Sequence, residues 1–234
     1  MYPQNGYVVP VAEASDVERL SFIRKTYLHL AFAVGAFVAL EAVILQSPLA
    51  EQITASILGT RYGWLMVLGA FMLVGWVAER WAQSATSPGM QYAGLALYVV
   101  AEAIVFVPLL VIARAFAGPQ IIVEAGLYTG IVFAGLTGTV FFTKKDFSFM
   151  RGALTIAGFA AMGVIVASIL FGFTLGTLFA AAMVLLAAGY ILYYTSNVLH
   201  HYPVGSHVAA SLALFAAVAL LFWYILRLLM SARR

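Results

Sequence analysis

From Tyr27 to the end of the chain, seven apolar runs alternate with short polar segments. They cover about Tyr27 to Gln46, Trp64 to Ala78, Met90 to Ala113, Gln120 to Phe142, Ala153 to Leu170, Leu175 to Leu199 and His207 to Leu229. A helix of about 20 residues crosses a hydrocarbon core of about 30 Å, so each run predicts a membrane span. The breaks carry turn chemistry: Ser87-Pro88-Gly89, Gly118-Pro119 and Phe171-Gly172-Phe173-Thr174. Residues 1–24 read as a polar tail and residues 25–234 as one seven-helix domain, an all-α integral membrane protein.

The polar positions inside the runs are few and pointed. The sixth run ends in Tyr190-Ile191-Leu192-Tyr193-Tyr194-Thr195-Ser196-Asn197, a line of hydroxyls and one amide. In a bilayer every polar group needs an internal partner, so this line is expected to face other helices. The hinge His200-His201-Tyr202-Pro203-Val204-Gly205-Ser206 joins it to a seventh run almost bare of polar groups. Gly35, Gly69, Gly75, Gly94, Gly135, Gly138, Gly158 and Gly163 are expected to let helices approach closely.

Composition sharpens this picture. The 234 residues are 64% apolar and only 9% charged, with a mean hydropathy of +1.02. Soluble domains carry about 25% charged residues, so this chain cannot clothe a water-facing surface. The net charge of +3 sits between apolar runs, where topology uses it, and gives no sign of nucleic acid. The absence of cysteine excludes disulfides and thiol chemistry. The tail, with Glu13, Asp16 and Glu18, fits neither a signal peptide nor a transit peptide, so the first span is expected to serve as the targeting signal.

Orientation follows from the basic residues. With the N-terminus in the cytoplasm, the inner loops hold Arg19, Arg24, Lys25, Arg80, Lys144, Lys145 and Arg151, and the outer loops hold Arg61 and Arg114. Arg227, Arg233 and Arg234 are the exception on the outside. Without organelle signals, a bacterial inner membrane is the expected compartment.

Glu102 lies about twelve residues from either end of the third span, near the bilayer centre. A carboxyl there is costly unless protonated, paired or hydrated, so it is a candidate for taking up and releasing a proton near neutral pH. The alternative is a neutral glutamic acid bonded to a tyrosine or a carbonyl for packing alone. Glu41 and Glu124 sit near the outer ends of spans. They are expected either as paired or solvated interfacial groups or as an acidic vestibule that concentrates cations. Oxygen ligands of that kind suit calcium.

His29, His200, His201 and His207 invite a metal or a pH-sensor reading. No HExxH or cysteine accompanies them, so no metal site is expected, and titration near neutrality remains open. There is no GxSxG and no Gly-rich phosphate loop, and Asp16 and Asp146 both lie outside the spans. The chain is therefore read as a non-enzyme without a cofactor.

Thr143-Lys144-Lys145-Asp146-Phe147-Ser148-Phe149, Tyr190-Ile191-Leu192-Tyr193 with Asn197, Phe22-Ile23-Arg24-Lys25-Thr26-Tyr27 and the close at Arg227-Leu228-Leu229 together resemble the Bax inhibitor-1 (TMBIM, YccA-like) membrane proteins. The resemblance implies seven helices, six of them around a central last one. It implies two activities: a pH-dependent calcium leak, and restraint of the FtsH membrane protease. The leak is attributed to an aspartate in each of the last two spans, linked to an arginine in the second. Arg80 matches the arginine, but the acid positions hold Tyr194 and Ala217. Two carboxylates sharing a proton titrate as a pair, and tyrosine with alanine cannot. Two expectations follow: a non-enzymatic regulator of an FtsH-type protease in membrane-protein quality control or stress response, or a leak for Ca2+ or H+ with Glu102 as the titratable group.

Overall fold

In the computed structural model, residues 9–60, 62–84 and 87–233 are described. Among them stand eight α-helices: α1 (Asp16–Leu45), α2 (Leu49–Leu58), α3 (Gly63–Ala82), α4 (Pro88–Ala117), α5 (Gln120–Thr143), α6 (Arg151–Phe171), α7 (Thr177–His200) and α8 (His207–Ala232). Seven are long and apolar enough to cross a membrane, and α2 is not. The seven expected spans are therefore present, and the chain is an all-α membrane bundle.

Local chemistry sets the boundaries. Residues 16–24, expected in the tail, are helical because Ser15 and Glu18 form a reciprocal capping box. Ser87 caps α4 by accepting from the Met90 N–H, and Pro88 fits the first helical position, where its missing N–H costs nothing. Gly172, at φ +77°, ends α6 in the left-handed region and so separates the fifth span from the sixth. The segment expected as a polar loop after the first span folds instead as α2, which buries Ala50 and Ile57.

At the centre is α8, packed against α1, α3, α4, α5 and α7. Leu214, Phe215, Leu221 and Leu226 are among its fully buried side chains. The implied ring of six is incomplete, because α6 stands outside it, resting on α7 and the edge of α3. Its face is strongly exposed at Ile156, Phe159 and Phe171.

The expected role of the glycines holds at some positions and fails at others. A Cβ on Gly94 would lie 2.5 Å from the Ala78 carbonyl oxygen, so α3 and α4 meet backbone to backbone there. A Cβ on Gly158 would lie 2.5 Å from the Tyr190 hydroxyl, so the glycine makes room for that side chain. Gly35, Gly69, Gly135 and Gly163 face open space and bring no helices together.

The segment before α1 is tied to the far end of the chain. The Val11 N–H donates to the Tyr202 carbonyl at 2.9 Å, and the Val204 N–H donates to the Val9 carbonyl at 3.1 Å. Val11 is fully buried, and Phe22 lies against the Tyr202 ring at 6.4 Å. Residues 9–11 thus form a strap across the α7–α8 hinge.

Candidate functional site

Midway along α4, Glu102 is 8% exposed, and its Oε2 has no hydrogen-bond partner. Glu102 is among the residues that line a cavity of about 590 Å³ walled by α3, α4, α6, α7 and α8. Trp64, Phe71, Phe106 and Trp223 furnish its apolar surface. Trp64 stacks on Trp223 at 5.7 Å, and Trp223 meets Phe106 edge to face at 4.8 Å. Arg227 is at the far rim, donating to the Leu175 carbonyl at 3.4 Å. Phe106 and Trp223 mark where α4 and α8 touch. Glu102 lies four residues before that level and Arg227 four beyond it, a separation of about 12 Å along the axis. No cation pairs with Glu102 among the described residues.

The positions matched to the family's acids form a second, separate site near the hinge. Tyr194 stacks on Tyr190 at 5.9 Å and lines a cavity of about 400 Å³ with Glu79, Tyr202 and Ser206. Ala217 is buried in α8. Arg80 points elsewhere, its guanidinium 5.5 Å above the Trp76 ring in its own helix, a cation–π contact. The acid in this cavity is Glu79 of α3, which the sequence presented only as the polar end of a span. Asn197 acts through its backbone, its carbonyl accepting from the His201 and Tyr202 N–H groups to close α7. The rest of the hydroxyl line does face other helices: Thr195 and Ser196 are fully buried, and the Tyr190 hydroxyl donates to the Leu154 carbonyl at 3.0 Å.

Glu41 and Glu124 do not form a common vestibule. Glu124 is held by Arg233 at 2.8 and 2.6 Å, while Glu41 is 5% exposed and has no partner on either oxygen. Helices α4 and α8 pack against α1, and Glu41, expected as a paired or solvated group or as part of a vestibule, is buried and unpaired. The far-side cavity of about 640 Å³ is lined by Glu51 and Arg114, not by these acids. Arg227 and Arg233 are tied down, the first by the Leu175 carbonyl and the second by Glu124. Arg61 and Arg234 lie outside the described residues.

In the α5–α6 loop, Lys144 and Lys145 are exposed, whereas Asp146 is fully engaged. Its Oδ1 accepts from the Ser148 N–H at 2.8 Å and from the Ser196 hydroxyl at 3.2 Å, and its Oδ2 accepts from His201 Nε2 at 2.8 Å. Partial burial pushes the carboxyl pKa up, but the bonds from Ser148 and His201 outweigh it and hold the group well below the usual carboxylate range. Ser196 and His201 grip the same carboxylate rather than each other, so the imidazole is not placed to take a proton from the serine. His29 and His207 meet edge to face at 4.9 Å, apart from the other two histidines. Among the described residues no three His, Asp or Glu side chains cluster as metal ligands.

Comparison with known proteins places this architecture. The family model described as "Inhibitor of apoptosis-promoting Bax1" matches residues 19–234. The chain is 28% identical over 229 residues to Bax inhibitor 1 of Schizosaccharomyces pombe, covering 94% of this chain and 80% of that protein. It is 25% identical to protein LIFEGUARD 3 of Arabidopsis thaliana, covering 96% of this chain and 90% of that one. An uncharacterized protein of Pseudomonas aeruginosa shares 31% identity over 112 residues, a stretch of 47% of this chain and 50% of the relative, about half its length. With a family match over nearly the whole chain and seven membrane-length helices, α8 at their centre, this is an integral membrane protein of the Bax inhibitor-1 family.

Proposed function

We propose that the protein is a non-enzymatic regulator that restrains a membrane-bound protease of FtsH type, in membrane-protein quality control or stress response. The observation that carries this reading is the pair Tyr194 and Ala217. The positions from which a family leak would be switched hold no titratable carboxyl pair, and regulation by contact needs none. The strap, the hinge and the Asp146 loop build an ordered surface on the N-terminal side, suited to contact with a partner. The family's description, inhibition of another protein, lends support. The protein sits in a bacterial inner membrane with that surface in the cytoplasm, in keeping with Arg19, Arg24, Lys25, Lys144 and Lys145 on one side and with relatives in Pseudomonas and Vibrio. Co-reconstitution with an FtsH-type protease should slow degradation of a membrane substrate severalfold, and Val11→Asp, which dislodges the strap, should abolish the effect. An unchanged rate with the wild-type protein would sink the proposal.

A second reading is favoured by the unpartnered oxygen of Glu102: a leak whose ion is the proton. Calcium takes about six to eight oxygen ligands, and the wall of this cavity offers one carboxylate. Proteoliposomes assayed between pH 6 and 8 should show proton flux that Glu102→Gln removes. Flux no greater than in empty vesicles would end this reading.

A further inference from the structure

The cavity at Glu102 has the features of a recognition site whether or not the protein conducts ions. Its volume of about 590 Å³ lies within the range of small-molecule pockets. Its walls are predominantly aromatic and aliphatic, and they include Glu102, a side chain more than nine-tenths buried whose Oε2 has no hydrogen-bond partner. The other polar side chains of the wall are accounted for where it matters: the Tyr190 hydroxyl is donated to the Leu154 carbonyl, and Arg227 is donated to the Leu175 carbonyl at the far rim. A carboxyl so placed in hydrocarbon is expensive, and a plain acyl chain filling the space would leave it so.

We infer that this cavity binds a lipophilic organic cation, its charge on Glu102 and its apolar body against Phe106, Trp64 and Trp223. Aromatic faces attract organic cations through their quadrupoles, and a desolvated carboxylate supplies the counter-charge, so the two features select one ligand class together. A metal ion is a poor match, since one carboxylate cannot replace its hydration shell. Arg227 repels cations at the far-side rim. Helices α3 and α6, which both wall the cavity, barely touch, so the ligand would enter between them from the lipid.

The test uses the full-length protein in detergent, with no ion gradient, and therefore does not depend on any leak. Tetraphenylphosphonium binding, followed by equilibrium dialysis, should saturate at one site per chain. Glu102→Gln should weaken it at least tenfold, and Ala161→Phe, which fills the cavity from α6, should abolish it. Tetraphenylborate, of the same shape and opposite charge, should not compete. Absence of saturable binding by the wild-type protein, full affinity in Glu102→Gln, or equal binding of the borate would each overturn the assignment. Should the glutamine variant not elute as a folded monodisperse species, Ala161→Phe decides the matter.

Discussion

Two carboxyl groups in this molecule, Glu102 and Asp146, met opposite fates. Asp146 sits in a loop, nearly half exposed, and is gripped by a backbone N–H, a serine hydroxyl and an imidazole. Glu102 lies at the depth where water is scarce, and one of its oxygens has no partner. Satisfying a carboxyl is cheap where solvent and loop backbone are at hand, and costly where every donor is committed to a helix. The loop acid is therefore explained by the fold that it fastens, while the core acid is left unexplained by packing. That contrast is what turns attention to its cavity.

The contrast can be broken from either side. The larger effect is expected at the core: Glu102→Leu should raise stability by about 2 kcal/mol, because an orphaned polar group is exchanged for an apolar one. Thermal unfolding in detergent measures this, and a loss of stability would mean that Glu102 has a structural partner after all. Asp146→Ala should do the reverse and by less, costing about 1 kcal/mol at most, since the group is exposed and screened. Its pH dependence sharpens the point. The folded pKa of Asp146 lies below its unfolded value of about 3.9, so its contribution is intact above about pH 4 and fades only as the pH falls further. Hydrogen-exchange protection at Phe147 to Arg151, taken relative to the intrinsic rate at each pH, should stay flat from about pH 8 to 5 and fall under stronger acid, and Asp146→Ala should erase that acid step.

Much of this was legible in the chain itself, and the exceptions have physical reasons. Hydropathy alone locates seven spans, because hydrocarbon permits few other solutions for so apolar a sequence. The start of α1 escapes a hydropathy scale, to which Ser15-Asp16-Val17-Glu18 looks like a polar tail although it spells a capping box. The burial of Glu41 is hidden from the sequence for a related reason. Position along a span predicts depth, but whether a side chain meets water or a neighbouring helix depends on which helix packs beside it. The partners of Asp146 were invisible for the same cause, since Ser196 and His201 stand some fifty residues away in sequence. Glu102 stands out because a lone acid in an apolar run is conspicuous, yet nothing local could reveal that the residue lines a cavity.

The strap at residues 9–11 has a bearing on how the protein is made. Its hydrogen-bond partners, Tyr202 and Val204, are synthesised only after six spans have emerged. The beginning of the chain must therefore wait until insertion is almost complete. It can close on the hinge only if both have ended on the same side of the bilayer, which requires an even number of crossings between them. A chain that skipped one span would strand the two on opposite faces, with Val11 exposed to water and the hinge bare. Strap closure thus doubles as a parity check on membrane insertion, and an unclosed strap would expose Val9 to Val11 as a handle for removing the misassembled copy.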